Sequence, residues 1–216
     1  MIVQNTLIGR SKQSIGNVVA TTLLGKNVLK AKPLTVANPK TEGQINQRAK
    51  ISAVVACGRA IAEIITLGFK EMAVGMYAFN AFTSENSKNG FVTAVNGVAT
   101  YVGANLIISK GTIGSTAVTV GSASIGAGVI ELDFDGDTIP VGGSASDVAL
   151  AVVFNSTKNE FAASAIQNTR NSEIVNIAIP SNWAQGDTCR AYLGFANTTT
   201  KKASDSTKTG TFALNA

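Results

Sequence analysis

Apolar positions recur along this chain with two different periods, and the change from one to the other organises it. Residues 17–24 (NVVATTLL) and 27–34 (NVLKAKPL) are rich in β-branched and aliphatic side chains on either side of Gly25-Lys26, which predicts a hairpin. Lys30 and Lys32, two apart, share one face of that strand if it is regular. Pro33 and Pro39 end the extended part. Asn38-Pro39 disfavours helix before the proline. Thr41-Glu42-Gly43-Gln44 then fits a capping box, with Glu42 placed to suit the helix dipole. From Ile45 through Ala49, Ala53, Ala56 and Ala60 the apolar residues keep helical spacing. Beyond Ile51 nearly every face is apolar, so the pattern predicts one helix, surrounded by protein, that stops at Gly68. A second helix is predicted over residues 70–82 (KEMAVGMYAFNAF), with Met72, Met76, Phe79 and Phe82 toward the first and SENSKNG as the loop that ends it.

From about Phe91 the period falls to two. Strands are predicted at 105–109, 117–120, 129–134, 148–154, 174–179, 188–195 and 210–214. Alternation is clean in IELDFD, where Ile130, Leu132 and Phe134 point one way and Glu131, Asp133 and Asp135 the other. In CRAYLGF it puts Cys189, Leu193 and Phe195 inward and Arg190 and Tyr192 outward. VALAVVF is apolar on both faces and belongs at the centre of a sheet. Short strands separated by Gly, Ser, Asn and Thr loops predict an antiparallel sandwich of immunoglobulin-like or fibronectin-like type, with Trp183 plugging one end. The expected fold is α+β: residues 1–90 form a basic arm with a hairpin and two helices, and residues 91–216 form the sandwich.

Composition narrows the chemistry. Histidine is absent, which removes Ser-His-Asp and Cys-His nucleophile systems, histidine zinc sites and the usual general base near neutral pH. Cys57 and Cys189 are the two cysteines, too few for a four-thiolate zinc site; a disulfide between them stays open, and two buried free thiols are the expected state. LDFDGDTIPVGGSASD offers Asp133, Asp135, Asp137 and Asp147 to a hard cation, but its glycine is misplaced for an EF-hand and no glutamate closes the loop. SIGAGVIE lacks the third glycine of a dinucleotide fingerprint and precedes a strand, and no Walker-type phosphate loop is present. No enzyme activity, cofactor or metal is expected. The N-terminus lacks a signal-peptide pattern, and the apolar run at 51–67 carries Arg59 and Glu63 near its middle, so no membrane-spanning segment is expected.

Charge is segregated. Residues 1–50 hold eight cations, Arg10, Lys12, Lys26, Lys30, Lys32, Lys40, Arg48 and Lys50, against Glu42 alone, a net +7. The remainder holds ten cations and twelve acids, a net −2, so the chain's +5 arises entirely from its first quarter. Those eight residues are the candidate contacts, to phosphates of a nucleic acid or to the acidic sandwich of a neighbouring copy, with a plain solvated face as the third reading. No aromatic residue lies among residues 1–50, so base stacking is not part of the reading. A charged fraction of only 14% leaves a surface of small polar residues suited to subunit packing.

The order of these pieces resembles an uncharacterised family, of unknown function, common in Bacteroidetes-type bacteria and their phages. The matching residues are IGNVVATTLLGKNVLKAKP (15–33), NPKTEGQINQRAK (38–50), LGF (67–69), SKG (109–111), SDVALAVVFN (146–155), AIPSNW (178–183) and SDS (204–206). The chain departs from the pattern at Lys30-Ala31-Lys32, where the family has an arginine close before the proline. The resemblance implies a phage-linked, non-enzymatic virion protein that self-assembles as a capsid, coat or tail component, made and assembled in the bacterial cytoplasm as a homo-oligomer. Two other readings stay open: an immunoglobulin-like adhesion module using Tyr101, Tyr192 and Trp183, and a nucleic-acid-associated architectural protein.

Overall fold

The structure, a computed structural model, describes residues 2–3, 14–24, 26–33, 35 and 38–216. Arg10 and Lys12 lie outside the described residues. By contact the chain divides into two compact units, Met1–Thr41 and Glu42–Ala216.

In the first unit, β1 (Ile2–Val3), β2 (Ser14–Ile15), β3 (Val18–Leu23) and β4 (Lys26–Ala31) form an antiparallel sheet in the order β1-β4-β3-β2. The expected hairpin is present, with Val18 opposite Ala31 and Leu23 opposite Lys26. Leu24 takes a left-handed conformation at its tip, and Gly16 does so in the turn between β2 and β3. Because β4 ends at Ala31, Lys32 lies beyond the strand, and the cation that shares a face with Lys30 is Lys26.

The second unit has three layers. Its middle layer is the antiparallel sheet β10-β9-β12-β13, from β9 (Val148–Asn155), β10 (Glu160–Ala163), β12 (Thr188–Asn197) and β13 (Lys202–Ala203); β14 (Thr207–Ala213) also pairs with β12. One face packs on the outer sheet β11-β8-β7, built from β7 (Val118–Ser124), β8 (Val129–Phe134) and β11 (Ile174–Ala178). The other face carries α1 (Glu42–Ala60), α2 (Ala62–Gly68), α3 (Ala78–Lys88) and the hairpin of β5 (Val92–Val95) and β6 (Val98–Tyr101). The fold is thus α+β with a sandwich-like C-terminal region, and the helices expected with the basic arm share a core with the sheet.

Strand parity explains the layering. Ala149, Ala151 and Val153 of β9, with Cys189, Ala191, Leu193 and Phe195 of β12, face the outer sheet, where Ile130, Leu132 and Phe134 meet them as predicted. Leu150, Val152, Phe154, Tyr192 and Ala196 point the opposite way, into the helical layer. This corrects the outward assignment of Tyr192: the ring is fully buried, and its hydroxyl donates to the Gly103 carbonyl. Alternation marks one face as polar only where that face meets water, and β12 has no such face along most of its length. Trp183 is buried in the turn after Pro180, its indole N–H donating to Glu160 Oε2 at 2.9 Å.

The helical expectations need correction. α1 ends at Ala60 and the chain bends by 92° into α2 through Ile61. The bend delivers Ile61, Ile64 and Ile65 to the core. α1 is not surrounded: Ile45 and Ile51 are exposed, and its buried side is Val54, Cys57 and Gly58, where a Cβ would come within 2.8 Å of Phe79. Residues 70–77 are not helical, since Gly75 adopts φ +71 and Tyr77 is extended. Met72 and Met76 therefore face solvent, whereas Phe79 and Phe82 do reach the first helix. The helix instead runs through SENSK, because buried Asn86 turns a loop-like sequence into a tie. Its amide donates to the Phe82 and Ile107 carbonyls, and its carbonyl accepts the Ile107 N–H. That side chain occupies the backbone of Ile107, so the strand expected at 105–109 has no ladder there.

Candidate interaction surface

The candidate cations divide between the two units. Lys26, Lys30, Lys32 and Lys40 belong to the first unit and are exposed, with Lys26 and Lys30 flanking Val28 on one face of β4. Arg48 and Lys50 lie on α1 in the second unit; two residues apart on a helix, they look in different directions. The first unit's sheet has no second layer among the described residues of that unit. Ala20 is its one buried described residue, while Val18, Leu23 and Leu24 are exposed. Residues 1–41 contain six cations and no Asp or Glu.

The opposite composition occurs in the body. Residues 111–157 contain five acids and no Lys or Arg. On the outer face of the outer sheet, Glu131 and Asp133 of β8 stand beside Thr119 on β7 and Ile174 and Asn176 on β11. Asp135 and Asp137 follow β8 and Glu173 immediately precedes β11, all three exposed at that end of the sheet. Asp135 accepts the amides of Asp137 and Thr138, both at 3.0 Å, and hydrogen bonds from Thr138 and Asp137 hold its carboxyl below the usual range. These carboxylates are spread out: among the described residues no three His, Cys, Asp or Glu side chains converge on a point that could hold a metal ion.

Buried polar groups inside the body serve packing. Arg170 is fully buried, its guanidinium 3.7 Å over the Phe195 ring, and it donates to Thr116 Oγ1. Asp147 Oδ2 lies 3.9 Å from Arg170 Nε while accepting from Ser144 N–H, and Oδ1 accepts from Asn197. The Cys57 and Cys189 thiols are free and buried; burial and then the Asp187 charge push Cys189 up to about 12, so neither thiol is a thiolate nucleophile at neutral pH. Glu71 pins the 70–77 loop to the sheet, accepting the amides of Thr112 and Ala203 and the Thr112 hydroxyl. Burial resists its ionisation, but those bonds and Lys202 outweigh it and lower its pKa.

The rings named for an adhesion module are withdrawn from solvent: Trp183 and Tyr192 are buried, and half-buried Tyr101 meets Phe91 at a tilt and Phe154 and Phe161 edge to face. A shallow groove of about 500 Å³ between α1 and α3 has Ile51, Val55 and Phe79 in its floor and no paired acid and base. Sequence reading missed the acid-free and cation-free runs as a matched pair, although both were visible as counts. It also missed Arg170, an isolated cation in a polar segment with no signal of burial.

Among the described residues no single helix is long and apolar enough to cross a membrane; only α1 and α2 taken together, bent by 92°, reach that length and composition. A family model described as a family of unknown function (DUF6266) matches residues 9–210. No curated protein matches the chain.

Proposed function

The chain belongs to that family of unknown function, and from the contrast between its two units we propose that it is a non-enzymatic structural protein that assembles with copies of itself. The observation that carries this reading is the first unit: a cationic sheet, free of acids, that has no second layer among the described residues of its unit and bears exposed aliphatic side chains, joined to a body that completes its own core. A single sheet of this size gains most of its stability from what covers it. Its charge favours a partner with carboxylates or phosphates. The resemblance to a family met in Bacteroidetes-type bacteria and their phages supports a virion component, of the capsid, coat or tail, assembled in the bacterial cytoplasm, with the basic unit touching neighbouring subunits or packaged genome.

The test is direct. The purified full-length chain is sized over a wide concentration range at low and high salt, and the same samples are imaged by negative stain. Discrete oligomers, particles or tubes are the expected result. A strictly monomeric chain under every condition overturns the reading.

A further inference from the structure

The self-assembly reading leaves open what covers the cationic sheet, and the body offers one surface of matching chemistry. We propose that the outer face of the β11-β8-β7 sheet docks the N-terminal sheet of a second copy of this chain. This rests on the self-assembly reading and specifies its contact.

Charge complementarity is the first argument. Residues 1–41 hold cations only, and residues 111–157 hold acids only; of those five acids, buried Asp147 faces Arg170, which leaves Glu131, Asp133, Asp135 and Asp137 for the outer surface. Spacing is the second. Lys26 and Lys30 lie four residues apart on one face of β4, as Glu131 and Asp135 do along and just past β8, and four residues of strand span about 13 Å in both cases. Two cations on an extended strand can therefore meet two carboxylates at once. Apolar contact is the third. The cationic unit exposes Val18, Leu23 and Leu24, while the acidic surface exposes Ile174 and the loop after β8 exposes Ile139 and Val141, the latter at 90%. Charge steers and orients such an encounter, and the aliphatic side chains supply buried area. The dispersed carboxylates fit a strand-bearing surface and not a point ligand.

The experiment uses four full-length proteins, each first checked for a cooperative melt: the native chain, Lys26→Glu/Lys30→Glu/Lys32→Glu, Glu131→Lys/Asp137→Lys/Glu173→Lys, and the combined six-fold reversal. Asp133 and Asp135 are kept, because Asp133 packs over Gly121 and Asp135 holds a turn. Sedimentation should show each triple variant associating at least about tenfold more weakly, with association largely regained in the six-fold variant. If the acidic reversal does not fold, Glu131→Gln/Asp137→Asn/Glu173→Gln replaces it, with a smaller loss expected. Carbodiimide cross-linking of the native chain should join Lys26, Lys30 or Lys32 of one copy to Glu131, Asp133 or Asp137 of another.

A native chain that stays monomeric removes the assembly reading and this docking surface together. A chain that assembles regardless of the acidic reversal keeps the assembly and overturns the surface. A cationic variant that assembles normally but no longer binds duplex DNA assigns those lysines to nucleic acid and also overturns it.

Discussion

The N-terminal sheet and the central sheet of the body use similar residues to opposite ends. Both are antiparallel and rich in valine, alanine and leucine, yet in β3 and β4 only Ala20 is buried among the described residues, whereas every residue of β9 after Val148 is. The difference is the second and third layers. Between the outer sheet and the helices, β9 and β12 remove two faces from water, and a buried Leu, Ile or Phe side chain contributes about 1.5–3 kcal/mol relative to an exposed one. The N-terminal sheet, with no second layer among the described residues of its unit, forgoes that gain and keeps lysines on its surface. Buried core belongs to the body, and exposed lysines and aliphatic side chains mark the N-terminal sheet.

The largest test of that division is Asp147→Ala. Removing the carboxylate leaves the fully buried Arg170 without its counter-charge and strips the acceptors of Ser144 N–H and Asn197. Breaking a buried ion pair by deleting one partner costs about 3–5 kcal/mol. The chain's single tryptophan, Trp183, lies in the body's core and reports its unfolding by fluorescence in denaturant. Leu23→Ser, on the exposed N-terminal sheet, should move the same transition by less than about 0.5 kcal/mol. A Leu23→Ser effect as large as that of Asp147→Ala would dissolve the distinction between the two units. Asn86→Ala comes next, at about 2–3 kcal/mol, because it orphans the Ile107 amide and carbonyl together, while the Phe82 carbonyl keeps its place in the helix. Accelerated hydrogen exchange at the Ile107 amide checks the mechanism as well as the size.

What could be read from sequence follows the same physics. Period-two segments with one wet face, IELDFD above all, were legible to the residue, and so was the doubly apolar centre of VALAVVF. The hairpin at 18–31 was legible because its turn and β-branched content act locally. Tyr192 was not, since its polar tip reads as outward until the helical layer and the Gly103 carbonyl are in place. The helix over 78–88 was displaced because Asn86 looks like loop composition until a partner 21 residues away satisfies it. The bend at Ile61 was hidden for the same reason: a run apolar on every face does not say where the core is. For the candidate surface, charge sign was legible by counting, while the grouping of Lys26 with Lys30, and the separation of Lys40 from Arg48 into different units, required the strand ends and the contact map of the fold.

The smallest expected effect separates the two units by titration. Residues 1–41 contain no Asp, Glu or His, so below neutral pH that unit has no side chain to titrate. The body does. Glu85 is held below its ordinary 4.5 first by the Lys110 hydrogen bond, at 2.6 Å, and Glu71 is held low by its amide donors against the cost of burial. A carboxyl whose folded pKa is depressed contributes stability that is complete above 4.5 and disappears as pH falls through the folded value. Both groups are partly solvated, so each contributes less than about 1 kcal/mol. The Trp183-reported stability should therefore fall gently on acidification below 4.5, and Glu71→Gln should flatten that fall by removing its titration. In the dilute, dissociated chain the backbone amide shifts of 18–31 should stay level over the same range, since no side chain within their own unit gains a proton. Amides of the N-terminal sheet that move in step with the body's acid limb once the chain assembles would show that the sheet is seated on carboxylates of a neighbouring copy.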